Sequence, residues 1–237
     1  MIAMTANCVY EHNGDDTLLY AENFTGAYTR GSTLDIAVSK IPEEICSYLK
    51  WIGEPAQSDI GVKIIQEKIS ALNVCDADSD VIFDGEKLPL TAEEYARLKK
   101  LCLKSARDFH TLYESIPDKD KSALMQRNTF YGDVPRTARE MYAHTKNVND
   151  YYFGEIGVDT DNDGTIYECR VRGFDVLEKS PNFLSQPAVI GSYDEQWSLR
   201  KVLRRFIWHD RIHAKAMYRM ALKTFDAEID NVFKFNI

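Results

Sequence analysis

Trp208-His209-Asp210-Arg211-Ile212-His213 is the stretch on which the reading of this chain turns. On a helix, residues four apart lie one above the other, so the imidazoles of His209 and His213 can reach the same ion. Around them, from Trp197 to about Phe225, Leu199, Val202, Phe206, His209, His213, Ala216 and Met220 recur at three- and four-residue steps. Such a stripe faces a core, and histidines on it point inward. A third candidate ligand is His144, which shares a helical stripe with Met141, Val148 and Tyr151 on a separate run. Three histidines drawn from two helices of a bundle make a metal site with one coordination position left open. The competing reading is of ordinary core or surface histidines. It leaves buried ring nitrogens without partners and stacks two imidazoles that would repel if both were charged, so a shared ion is the better account.

Composition narrows the field. A chain of 237 residues is long enough for two modest domains or one large one, and 44% apolar with 28% charged residues is the balance of a soluble globular protein. A formal net charge of -8 argues against a general nucleic-acid binder, which needs a basic face, while leaving room for small anions held locally. No apolar run approaches membrane-spanning length, and the start, Met1-Ile2-Ala3-Met4-Thr5-Ala6-Asn7, lacks the features of a signal peptide. No membrane association and a cytoplasmic location are therefore expected. Cys8, Cys46, Cys75, Cys102 and Cys169 are odd in number, widely spread and without a Cys-x-x-Cys pair, so they read as small buried hydrophobes.

In the first third, residues 6–11 and 17–22 are β-type runs separated by Asn13-Gly14-Asp15-Asp16, which is hairpin turn chemistry. After Gly31, Ser32 with Asp35 three residues on resembles a helix start, and Leu34, Ala37, Val38, Ile41, Ile45, Tyr48 and Leu49 keep a helical period to Trp51, with Pro42 predicted to kink it. Gly53-Glu54-Pro55 ends that run, and residues 62–69 form a further strand candidate. This order resembles the HicB-like antitoxin fold, carried by Gly26-Ala27-Tyr28-Thr29-Arg30-Gly31-Ser32-Thr33-Leu34-Asp35-Ile36-Ala37. The proline usual before the first glycine is missing and there is no DNA-binding extension, so the resemblance implies the small αβ fold and not the antitoxin function.

Residues 71–90 turn acidic and rich in turn formers, with Asp76, Asp78, Asp80, Asp84, Gly85 and Pro89, and the domain boundary is placed there. Thr91-Ala92-Glu93-Glu94 is a capping box opening a helix with Tyr95, Leu98, Cys102, Phe109, Leu112 and Ile116 on its inner face. His110 sits beside that face and reads as structural. A second helix from Pro135 to about Phe153 holds His144, and a shorter one covers 167–179. Asp159-Thr160-Asp161-Asn162-Asp163-Gly164-Thr165-Ile166 copies the first half of an EF-hand loop, but its twelfth position is Arg170 where a bidentate glutamate is required, so it reads as an acidic interhelical loop.

The second part resembles the DinB-like (YfiT-type) four-helix bundles, through Tyr142-Ala143-His144 and through Trp197-Ser198-Leu199-Arg200-Lys201-Val202-Leu203 leading into Trp208-His209-Asp210-Arg211-Ile212-His213. The fold expected is thus α+β, with a small HicB-like αβ domain over residues 1–88 followed by an all-α DinB-like bundle over 89–237. The resemblance implies His144, His209 and His213 as ligands of a divalent ion, for which imidazole donors favour zinc or nickel. It also implies a low-molecular-weight thiol as partner in an S-transfer reaction, and a homodimer. The alternative is a non-catalytic binding or stress-response module with a structural metal and a partner-binding N-terminal domain. Glu140 and Asp210 are candidate acceptors for the ligands' second ring nitrogens. Arg204 and Arg205 are either holders of a substrate carboxylate or ordinary exposed helix charges.

Overall fold

The structure is a computed structural model, and it describes residues 4–57, 59–129 and 132–237. Strand β1 (Met4–His12) turns back into β2 (Thr17–Ala21) through residues 13–16, where the Asn13 side-chain oxygen accepts from the backbone N–H groups of Asp15 and Asp16 at 3.1 and 3.0 Å. Strand β3 (Tyr28–Gly31) pairs antiparallel with β2. The helical run after it is two helices rather than one kinked helix. Thr33, not Ser32, caps α1 (Leu34–Ser39), and Pro42 stands at the first turn of α2 (Ile41–Ile52), where a missing N–H costs nothing. Gly53, in the left-handed region at φ 82°, ends α2. Strand β4 (Ile60–Ile69) then runs parallel to β1, giving the order β3-β2-β1-β4.

Alternation along the strands gives this sheet two buried faces. Ala6, Cys8, Leu19 and Ala21 join the main core, which also holds Ala37, Ile41 and Ile45 of the two helices. Val9, Leu18, Tyr20 and Tyr28 point the other way and pack with Val74, Val81, Phe83 and Trp208. The acidic stretch after β4 thus supplies buried apolar side chains to the second face.

Five α-helices come next among the described residues: α3 (Ala92–Ser115), α4 (Ala138–Lys146), α5 (Asn149–Gly154), α6 (Ile166–Leu177) and α7 (Leu199–Thr224). Three of them open on a Thr-x-x-Glu box, Thr91 with Glu94, Thr137 with Glu140 and Thr165 with Glu168. The run expected as one helix over 135–153 breaks after Lys146. That break shifts the helical phase of residues 149–154, so Tyr152 and Phe153 are buried and Tyr151 is exposed, although the unbroken period placed Tyr151 on the inward stripe. Gly173 of α6 lets Phe153 close in, because a Cβ there would lie 2.1 Å from its ring.

Helix α7 runs between the sheet and the other helices. Trp208 meets Tyr20 and Tyr28 edge-on at 5.8 and 6.2 Å between ring centroids. Gly26, at φ 93° in the turn between β2 and β3, sits so close to α7 that a Cβ would fall 2.3 Å from the Ile207 side chain. Ion pairs reinforce this seam: Arg204 to Glu86 at 2.5 Å and Arg211 to Glu44 at 2.6 Å. The chain end also tucks in, with Ile229, Phe233 and Phe235 buried and Phe233 stacked on Trp51 at 5.2 Å. No helix among the described residues is long and apolar enough to cross a membrane.

Candidate metal centre

His209 and His213 stand on one face of α7, and α4 brings His144 against them. Ring centroids are 4.4 Å apart for His209 and His213, 4.6 Å for His144 and His213, and 5.2 Å for His144 and His209. One nitrogen from each ring lies within 4.8 Å of the other two. A tetrahedral zinc site places its nitrogens about 3.4 Å apart, so the rings need to close by on the order of an ångström, which small side-chain torsions supply.

Burial grades across the cluster: His209 is buried, His213 half-buried and His144 exposed. The site therefore has a closed floor and one side open to solvent. Burial lowers the pKa of all three imidazoles. His213 is pushed down to about 3, and His209 falls well below its ordinary value through burial and then the neighbouring His213 and His144 charges. Near neutral pH the cluster is three neutral imidazoles, the protonation state that metal binding requires. The Nδ1 of His209 is buried without any hydrogen-bond partner. Three neutral imidazoles converging within 4.8 Å, the deepest with an unpartnered ring nitrogen, are a donor set that fits a divalent ion.

The two carboxylates expected to support the ligands are engaged elsewhere. Glu140 caps α4, accepting from the backbone N–H groups of Arg136 and Thr137 at 2.8 and 3.1 Å. Asp210 turns about a quarter turn round α7 from the histidines towards α3 and α6, fully buried, where it accepts from both terminal nitrogens of Arg170 at 3.2 Å and from Ser105 at 2.7 Å. Arg170, the residue at the twelfth position of the EF-like loop, is thus turned into the core. In that loop Asp161 pairs with Arg172. His110 hydrogen-bonds Tyr142 at 3.0 Å and His12 pairs with Glu67 at 3.0 Å, so each has a local partner away from the cluster. Ala216, predicted on the inward stripe of α7, is exposed, while Ala214 and Met217 are buried.

Two neighbours of the centre were not legible in the sequence as such. Tyr152 meets the His209 ring edge-on at 5.9 Å, and its inward position depends on the helix break before it. Arg205, one turn before His209, is not an ordinary exposed charge. Its guanidinium lies over the rings of Tyr152, Trp197 and Trp208, donates to the Ser79 carbonyl at 3.0 Å, and keeps a buried Nε without a partner. Arg204 is likewise committed to structure, holding Glu86 and the Val81 carbonyl. No family model matches this chain, and neither the curated proteins nor the solved structures contain a match.

Proposed function

We propose that the chain binds one divalent ion, zinc or nickel by donor preference, through His144, His209 and His213, and uses that centre for a thiol-dependent transfer reaction. The observation that carries the metal reading is the convergence of one nitrogen from each of three imidazoles within 4.8 Å, the most buried of which, His209, also keeps an Nδ1 without a hydrogen-bond partner. The sheet order β3-β2-β1-β4 with two helices before β4, and the helices from α3 to α7, support the HicB-like and DinB-like arrangements as the finer description of the α+β fold.

Openness favours catalysis over a structural role. A structural ion is closed by a fourth protein ligand, and among the described residues no cysteine or carboxylate joins the histidine group. A bound ion there supplies positive charge and a free coordination position, conditions under which a small thiol loses its proton near neutral pH. Three of the chain's five thiols are poor substitutes, and the other two, the half-buried Cys46 and Cys75, which is exposed rather than buried as expected, do not join the histidine group. Cys8, Cys102 and Cys169 are buried, and burial pushes their pKa values up, that of Cys8 to about 12. An external low-molecular-weight thiol is therefore the expected nucleophile, its sulfur bonding to an electrophilic carbon as the leaving group departs. Tyr152 closes the inner side of the centre, and Arg205, whose guanidinium lies over the Tyr152 ring, supplies positive charge behind it.

Elemental analysis of protein purified without an affinity tag tests the metal, with one equivalent of zinc or nickel expected. Cobalt-substituted protein tests the reaction, since a thiol entering the open position shifts the visible spectrum. A fourth protein ligand on the ion, together with no spectral response to cellular thiols, would move the assignment to the non-catalytic module.

A further inference from the structure

About half a turn round α7 from the histidines, Arg211, Lys215 and Arg219 succeed one another at four-residue steps. Arg211 is buried under Glu44, whereas Lys215 and Arg219 line a cavity of about 270 Å³ between α7, β3 and the start of α2. Its lining residues include four basic ones, Arg30, Lys40, Lys215 and Arg219, against two acidic ones, Glu43 and Glu44.

The carboxylates are already occupied. Glu44 accepts from Arg211 at 2.6 Å and from Lys215 at 3.2 Å, and Glu43 accepts from Asn236 at 2.8 Å. The donors are not exhausted. Lys40 gives one N–H to the Arg30 carbonyl at 2.6 Å and Lys215 gives one to Glu44, so each ammonium keeps two. Arg219 makes no ion pair or hydrogen bond among the described residues. Arg30 turns its guanidinium towards Asp16 and the carbonyls of Val74 and Cys75, and contributes charge rather than a donor. Tyr28 is the independent sign of a ligand: the residue is only 6% exposed and lines this cavity, and its hydroxyl, which is not sealed in the core, has no hydrogen-bond partner among the described residues.

We propose that this cavity binds a doubly charged phosphate group, free or as a small phosphomonoester, with the Tyr28 hydroxyl, Lys40, Lys215 and Arg219 as donors. The donors come from three elements around the cavity, which suits a tetrahedral group with several peripheral oxygens better than a planar carboxylate. The excess of two basic residues over acidic ones in the lining matches a dianion, within a chain whose overall charge is -8. The site stands apart from the histidine cluster and needs no ion there.

The test is calorimetric titration of the full, chelator-treated chain with inorganic phosphate, repeated with glycerol phosphate. Saturable one-to-one binding is expected. Tyr28→Phe should weaken it about tenfold, since it removes one hydrogen bond to a charged group and keeps the ring beside Trp208, and Arg219→Ala should weaken it at least as much. Tighter binding of glycerol phosphate would identify a monoester as the ligand, and equal or weaker binding would identify free phosphate. Absence of saturable binding up to about 10 mM by the metal-free chain would overturn the proposal. So would binding indifferent to both substitutions, or binding that appears only on metal loading and is lost in His213→Ala.

Discussion

The histidine face of α7 and the rest of its buried circumference treat polar groups in different ways. Away from the histidines, Arg170 meets Asp210, and nearby Arg204 meets Glu86 and Arg211 meets Glu44; some guanidinium N–H groups are left over, but each of these buried cations has its carboxylate. On the histidine face three imidazoles converge, and the deepest has a nitrogen with nothing to bind. A buried charge matched by its counter-charge within the chain holds the fold together, even where some N–H groups are left over. A cluster that is incomplete points to something the chain is built to receive. The contrast separates charge-matched residues from candidate ligands along a single helix, two and one residues apart in places.

The largest expected effect lies on the charge-matched side. Asp210→Ala strands Arg170 in the core without an anion, and should lower unfolding free energy by about 3–5 kcal/mol in urea titrations, with or without metal. A loss below about 1 kcal/mol would mean that water or another group takes the place of Asp210, and the two regions would no longer differ in kind. Next comes His213→Ala. It should abolish stoichiometric zinc binding by calorimetry while changing the stability of the metal-free chain near neutral pH by less than about 1 kcal/mol, since the imidazole removed is half-buried and neutral there. Wild-type protein should gain about 4 kcal/mol when free metal stands a thousandfold above Kd, and the variant should gain none.

The two regions are unequally legible in the sequence. The meeting of His209 and His213 is legible in their four-residue spacing on an apolar stripe, and His144 is a candidate from its place on a second such run, because residues that share one helix face recur periodically. The Thr-x-x-Glu boxes at Thr91, Thr137 and Thr165 are local signals, although only the first stands out before an obvious apolar period, and Pro135 masks the one at Thr137. The ion pairs are hidden for a physical reason. Arg211 and its partner Glu44 are 167 residues apart, and a charged residue on a helix is usually exposed, so nothing local marks it as buried. The break between α4 and α5 is hidden as well. No proline or glycine stands at residues 147–148, and the resulting phase shift puts Tyr152 rather than Tyr151 beside the centre. The short strand β3 and the buried chain end at Phe233 and Phe235 depend on distant packing, which a window of sequence does not contain.

A pH titration of the metal-free chain sharpens the contrast at an intermediate scale. His213 is depressed to about 3 in the folded chain from an ordinary 6.5, so below 6.5 the unfolded chain binds the proton that the folded chain refuses. Its contribution is therefore fully present above pH 6.5 and is lost as pH falls from there towards 3, by about 1.4 kcal/mol per pH unit for this one group. His213→Gln should flatten that part of the stability profile, and saturating zinc should leave its onset near 6.5 but carry its lower end to lower pH, since a bound ion keeps the folded imidazole unprotonated. A profile identical in wild type and variant would show that His213 titrates normally and is not sealed among the other rings.

The smallest effects concern α4, the nine-residue helix that carries His144. Thr137 caps it and Glu140 completes the box, so Thr137→Ala should cost about 1 kcal/mol by freeing the first turn. His144 lies in the last turn, past most of the helix's hydrogen bonds, and fraying at the start should reach it only weakly. Zinc affinity should then fall by less than about tenfold. Glu140→Gln is the sharper companion experiment, because glutamine still serves a capping box but carries no charge to polarise a ligand histidine. If Glu140 acted on the metal through His144, the change would cost about 10- to 100-fold in affinity. The observed bonds from the Arg136 and Thr137 backbone predict instead an affinity within a few-fold of wild type, together with a slight loss of stability. An affinity loss without a stability loss would reverse the assignment and place Glu140 with the incomplete face rather than with the scaffold.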